Sequence, residues 1–582
     1  MTFDGRRKDA LTAAAFALLL AACWVARDWA QLRWLNLPDT DDMMRLAQVR
    51  DWIAGQGFAD WTQYRLAPPA GAPMHWSRLN DLLPAALILT ARPLLGQSNA
   101  ELMAVIVAPT LLFALYLTLS ARMARRIGPP AGALPAIVIA ALAYPANALF
   151  LPGRVDHHAL QVVLLQIALL AVMRRGGWRS GAVVGAMVAL SFGIGLETAP
   201  QLAALVGAFF LLWLVRGKEE RARAIGFGAM LTVATLALLL FARPSYWSAE
   251  WCDAFTPASV TGAVAVGVAW LVLGALTPAL RDWRLRFAVG AGLGTVALAA
   301  TLASYPVCLT GPYGPMGPFL QHAIIDSIPE AIGVFEQPKV SAAIQAAALL
   351  TIALIVFALR LRRADAAQRL AMLPLGAVYL ASAVILLFQL RGAYMGSAVA
   401  APMLAQLVLA ARARAPRWRP FALVGAWCVS AGVLWLVVTG WIEEQLRPRI
   451  AAATEQAESC KQGDVWHRLN AYPAGTVMTA MDHGARVIGG THHASVGAGY
   501  HRNNRGNLAS YRFFLAAPEQ ARAIAAEWQV RYILFCPGDF SEVGVPHARP
   551  GSLAAQLSRG EPPAWAEPLP LHDTGLRFYR IR

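Results

Sequence analysis

The chain has 582 residues, 57% hydrophobic and only 14% charged, with 50 Lys and Arg against 34 Asp and Glu, a formal net charge of +16. Soluble proteins average about 25% charged residues, so a chain this long and this poor in charge cannot coat a set of soluble domains. The same figures exclude disordered, collagen-like and disulfide-scaffold classes, and the chain reads as a polytopic α-helical membrane protein. Its basic residues recur in short runs between apolar stretches rather than on one patch, which argues against nucleic acid as a partner.

In chain order, Arg6, Arg7 and Lys8 precede an apolar run at 11–26, expected to be a signal anchor. Apolar segments follow near 99–121, 130–150, 158–173, 181–196, 198–215, 224–242, 257–278, 287–304, 340–359, 370–390, 393–411 and 420–440. Each approaches the ~20 residues a helix needs to cross a bilayer, so about 13 transmembrane helices are expected. The run 82–95 contains Pro84 and Pro93, is followed by Gly96, and is expected to lie in the interface.

Runs such as Arg122/Arg125/Arg126, Arg281/Arg284/Arg286 and Arg360/Arg362/Arg363 fall after every second span and place those turns in the cytoplasm. The loops 28–98, 243–256 and 305–339 and the tail 445–582 then share the extracytoplasmic side. The tail is polar; 519–528 reads as an amphipathic helix and 530–536 as a buried strand, a mixed α/β extracytoplasmic domain. Cys252, Cys308, Cys460 and Cys536 fall on this oxidising side, where a Cys460–Cys536 bridge is allowed but not deducible from spacing. No P-loop or dinucleotide fingerprint occurs.

The extracytoplasmic acids gather at span ends. Asp39, Asp41 and Asp42, with Arg45 following, put three carboxylates within four residues. Such crowding calls for a compensating cation, and oxygen ligands of this kind suit Mg²⁺ or Mn²⁺; a helix N-cap with an acidic first turn reads equally well. Asp156, His157 and His158 open another span, where a carboxylate and imidazoles can ligate a metal. The loop 305–339 is rich in Pro and Gly, carries Asp326, Glu330 and Glu336, and suits a segment that closes over a substrate. Arg391, at a span end, is suited to clamp a phosphate, and Glu197 reads as either cap or site residue.

Together these segments resemble, in order along nearly the whole chain, the catalytic subunit of single-chain archaeal and bacterial oligosaccharyltransferases. Asp39-x-Asp41-x-x-x-Arg45 resembles the family's D-x-D-x-x-x-R. Tyr64, Pro69-Ala70-Gly71-Ala72, Trp76 and Asp81 resemble its Y…P-x-G-A…W-P-P-L-x-D stretch. Asp156-His157-His158 resembles the second half of its D-x-E/D-x-H motif, with Arg154 where the first acid stands. Ser327-Ile328-Pro329-Glu330 resembles the S/T-x-x-E of its flexible loop, and Gln389-Leu390-Arg391 its Q-x-R. In place of W-W-D-Y-G the chain has Ala480-Met481-Asp482-His483-Gly484, which keeps the Asp and Gly and loses both tryptophans.

The resemblance implies a GT-C fold: a transmembrane catalytic domain at 1–444 and an extracytoplasmic α/β domain at 445–582. It implies a divalent metal, Mg²⁺ or Mn²⁺, on Asp39, Asp156, His158 and Glu330, with Asp39, Asp156 and Glu330 catalytic. Arg391 is expected on the donor phosphate, Asp41, Arg45 and His157 in support, and Asp482 and His483 on the acceptor. The activity expected is transfer of a sugar from a polyprenyl-phosphate or -pyrophosphate donor, in the plane of the bilayer, to an extracytoplasmic acceptor. Without indole N–H donors to read a peptide hydroxyl, that acceptor is expected to be a glycolipid or envelope polysaccharide. Protein asparagine is the alternative acceptor. A polyprenyl-lipid transporter or flippase is the other class, and it predicts internal repeats that the sequence lacks.

Overall fold

The computed structural model describes every residue except 1–2, 175, 312, 315, 327, 447–458 and 462, and gives no side chains for 3, 4 and 244. Ser327 of the expected loop motif thus lies outside the described residues. Among those described, the chain is mostly helical. In hydrocarbon every backbone N–H and C=O must find its partner within the segment, and the Ala-, Leu- and Val-rich stretches do so as helices. Among the described residues, seven helical segments are long and apolar enough to cross a membrane, nine if two bent pairs each count as one span, and three shorter apolar helices accompany them. The chain is an integral membrane protein of this bundle type.

All thirteen apolar stretches are helical, but not all are straight full-length spans. In the stretch 130–150 the helix Ala133–Ala141 stops before Pro145, and Ala146–Phe150 continues as a 3₁₀ turn. The stretch 393–411 is two helices, Arg391–Ala398 and Ala401–Arg412, bent by 49°. Arg419–Ser430 and Gly432–Leu446 bend by 75°, and a Cβ on Gly432 would lie 2.8 Å from Leu142 O, so the bend brings backbone against backbone. Helix Leu82–Ile127 breaks at Gly96, whose φ of 76° and ψ of 170° fall in a region that only glycine enters readily. The break divides the 82–95 run from the span that follows it.

The tail carries a five-stranded mixed sheet in the order Ala494–Ser495, Thr476–Thr479, Val530–Phe535, Arg577–Ile581, Ala566–Leu569, parallel on its first three strands and antiparallel on the last two. The helix expected at 519–528 is Pro518–Glu527, and the strand expected at 530–536 is Val530–Phe535. Cys460 and Cys536 are joined, and a second disulfide joins Cys252 in the 243–256 loop to Cys308 in the 305–339 loop.

The tail is tied to the first loop by polar contacts. Arg486 donates to Asn36 Oδ1, Leu37 O and Pro38 O, each at 3.0 Å. Ala67 N donates to Ser495 O at 2.8 Å, and Ser495 N to Arg65 O at 2.8 Å. Helix Met481–Gly490 lies so close on Thr40–Ile53 that a Cβ on Gly489 would come within 2.8 Å of the Met43 carbonyl carbon. Arg486 therefore fixes the backbone that leads directly into Asp39. Arg486→Met keeps the bulk but strands those buried acceptors, and is expected to lower stability by roughly 2–4 kcal/mol, read from denaturation of the purified protein.

Candidate active site

Asp39 does two jobs at once. It caps helix Thr40–Ile53, accepting from Asp41 N at 3.4 Å, and its Oδ2 takes a 2.7 Å bond from Arg154 Nη1. The cap and the charged cluster, alternatives in the sequence, are thus the same residue. Asp42 turns inward and is fully buried; its Oδ1 accepts from Val155 N at 2.8 Å and Asp156 N at 2.9 Å. Arg154 Nε stands 3.4 Å from Asp42 Oδ2, so this guanidinium bridges Asp39 and Asp42. Burial, with Asp39 and Asp156 nearby, still pushes Asp42 up to about 7 against the pull of Arg154.

Arg45, one turn on, is buried beneath the cluster. It donates to Ser77 O at 2.9 Å and Asp81 Oδ1 at 3.2 Å, lies 4.4 Å over the Trp76 ring, and holds Nε 4.0 Å from Asp156 Oδ1. Asp156 pairs with His157 Nδ1 and stands 3.4 Å from His158 Nε2; His157 Nε2 reaches Glu197 Oε1 at 3.1 Å. Burial opposes charge on Asp156, yet the histidines hold it well below the usual carboxylate range. Glu197 is likewise held low, against burial, by His157, His158 and His75. Against its own burial, His157 is raised to about 10 by Asp156 and Glu197.

Across from this cluster, Glu330 Oε2 stands 4.0 Å from Arg391 Nε, and Tyr500 Oη donates to Asp41 Oδ1 at 3.1 Å. Asp39, Asp41, Glu197, Glu330, Arg391, Asp482 and His483 all line one cavity of about 1570 Å³. One arm of it is apolar, walled by Phe192, Leu202, Val206, Leu231, Ala263 and Leu298 between membrane helices. Glu330 faces the cavity and Glu197 backs His157, whereas Glu336 caps Gly333 N at 3.0 Å.

The sequence reading missed a further cluster in the cavity wall. Asp253, beside Cys252, holds His501 Nε2 at 2.7 Å and Arg502 Nη2 at 2.6 Å, and Arg502 lies 4.2 Å over the Trp251 ring. His75 sits between the clusters, with ring centroids 5.3 Å from His501 and 6.5 Å from His157. Its position beside Trp76, inside a stretch already singled out, was the available signal.

The residues suit a divalent cation. One ligand atom each from Asp156, His157 and His158 lies within 4.8 Å of the others, and His158 Nδ1 is buried with no partner among the described residues. Asp41 is pushed well above the carboxylate range, first by burial and then by the charges of Asp156, Asp39 and Glu330, a repulsion that a bound cation relieves. His157 is committed to Asp156 and Glu197, which leaves Asp156, His158 and the cavity-facing acids as the available ligands.

The architecture is a membrane-helix bundle joined to a mixed-sheet domain. Its fold is shared with archaeal oligosaccharyltransferase AglB of Archaeoglobus fulgidus. The complex of that enzyme with an inhibitory peptide and a dolichol-phosphate superposes with a TM-score of 0.63 at 13% identity, covering 99% of this chain and 74% of that one. The form tethered to an acceptor peptide containing the NVT sequon gives 0.62 at 14%, covering 99% and 74%. A complex with Zn and sulfate gives 0.58 at 15%, covering 90% and 67%. No family model and no curated protein matches the chain.

Arg154 is expected to be the counter-charge on which Asp42 depends. Arg154→Met leaves a buried carboxylate unpaired and should cost roughly 3–5 kcal/mol. Adding Asp42→Asn should recover much of that loss, a coupling read from a double-mutant cycle of denaturation midpoints.

Proposed function

We propose that the chain is a membrane glycosyltransferase that moves a sugar or oligosaccharide from a polyprenyl-phosphate or -pyrophosphate carrier to an extracytoplasmic acceptor. The observation that carries this reading is the single cavity in which an apolar arm runs into a carboxylate, histidine and arginine cluster. A lipid tail fits the arm and a phosphate fits Arg391. The likeness to an enzyme whose structures hold a dolichol-phosphate supports the same donor class. The Arg runs and the two disulfides support an extracytoplasmic active side.

Asp39, Asp156, His158 and Glu330 would hold the divalent ion, Mg²⁺ or Mn²⁺, which when bound neutralises charge on the departing phosphate. Arg391 adds a guanidinium to the same oxyanion. In the transfer the acceptor atom forms a bond to the anomeric carbon as the bond from that carbon to the phosphate oxygen breaks. The acceptor's proton passes to a carboxylate, for which Asp39 and Asp41 face the cavity. Tyr500 and Arg154 fix the orientation of those two acids. Asp482 and His483 lie on the acceptor side, and the 305–339 segment would exclude water that otherwise hydrolyses the donor.

For the acceptor, two of the similar structures hold peptides, one with a sequon. That support favours protein asparagine over the glycolipid or polysaccharide expected from the sequence. The glycolipid reading keeps one specific observation: Ala480 and Met481 line the cavity where the family has indole N–H donors.

The test is sugar transfer by purified protein from a synthetic polyprenyl-linked donor, with sequon peptides and envelope lipids side by side. Asp39→Asn and Asp156→Asn should each lower kcat by orders of magnitude while the protein still folds, and a chelator should abolish turnover until a divalent ion is restored. Near-native turnover by both variants in chelator would overturn the metal-assisted reading.

A further inference from the structure

We propose that the cavity wall formed by residues 480–483 and 536–542 is a subsite for a positively charged side chain, Lys or Arg, of the acceptor peptide, close to the reacting asparagine. The proposal rests on the glycosyl-transfer reading and deepens it by naming what the peptide carries.

After strand Val530–Phe535 the chain folds back under the Cys460–Cys536 disulfide, and Asp539 Oδ2 accepts from Cys536 N at 2.8 Å. This turn presents Asp539 and Glu542 to the cavity opposite Asp482. Asp539 Oδ1 faces His483 Nε2 at 3.1 Å, and Glu542 Oε1 accepts from Tyr511 Oη at 2.9 Å. His483 is only 1% exposed, and its Nδ1 is buried with no partner among the described residues.

The wall is thus rich in carboxylates, with Asp482, Asp539 and Glu542 lining it beside the Ser541 hydroxyl. The Tyr511 hydroxyl is spent on Glu542, and among the described residues the cation lining this end of the cavity is Lys461, 3.8 Å from an Asp482 that is 77% exposed, a weak ion pair. Burial and then the charges of Asp482 and Asp539 raise the Glu542 carboxyl above its usual range. A ligand here must bring hydrogen-bond donors, and an ammonium or guanidinium brings both donors and the missing charge. A lone hydroxyl brings one donor and leaves the carboxylates repelling one another.

The experiment compares Asn-containing acceptor peptides that differ only in a Lys, Gln or Glu beside the asparagine, using the full-length protein and a polyprenyl-linked donor. The Lys peptide is expected to have a KM roughly tenfold below the Gln peptide, with the gap shrinking as salt rises. Asp539 also holds the turn together, so Glu542→Gln and Asp482→Asn are the variants used, and each should narrow the Lys-to-Gln ratio of KM. Equal KM for the three peptides, or a Lys preference that survives both variants, overturns the proposal. Transfer to an amine-bearing glycolipid and to none of the peptides overturns its commitment to peptide. Failure of the donor to be consumed with any acceptor overturns the underlying glycosyltransferase reading instead.

Discussion

The crowding of acidic side chains at one end of the bundle is the constraint around which the rest is arranged. Asp39, Asp41, Asp42 and Asp156 come within mutual electrostatic reach at one end of the cavity, where burial of Asp42 and Asp156 weakens screening by water. Arg154 answers two of these carboxylates, His157 answers Asp156, and Arg45 stands beneath with Trp76 against its face. Asp42 gains two backbone N–H bonds from 155 and 156, which locks the start of helix His158–Val172 to helix Thr40–Ile53. The polar tail then holds the same loop from above through Arg486.

The helical class was legible because membrane helices announce themselves by apolar length alone, and the strand at Val530–Phe535 by an unbroken run of Tyr, Ile, Leu and Phe. Bends were not legible. Gly432 and Pro145 mark them, but the angle of each depends on neighbouring helices that no local pattern encodes. The cluster at 39–42 and 156–158 could be read because its members are adjacent in sequence. The Asp253–His501–Arg502 group could not, since 248 positions separate Asp253 from His501 and each half looks like an ordinary polar loop. Glu197 was ambiguous for the same reason: its partners, His157 and His75, come from two other segments.

Arg154 shows how a departure from a family's motif acquires meaning only in three dimensions. In sequence it interrupts an acid-x-acid pattern and looks like a defect in a ligand set. In space its guanidinium spans Asp39 and Asp42, so the substitution removes one negative charge and adds a positive one at the same point. The carboxylates at this end of the cavity are thus partly neutralised by a guanidinium from their own chain.

The disulfide between Cys252 and Cys308 pins a glycine- and proline-rich segment near its beginning, and helix Val340–Arg363 fixes its far end. A chain anchored at both ends explores a far smaller volume than one hinged at its tips, and the entropy lost on settling into a single arrangement falls accordingly. The segment behaves less like a free flap than like a strap of set length. Reducing that bond would lengthen the strap without touching a single residue that carries charge in the cavity.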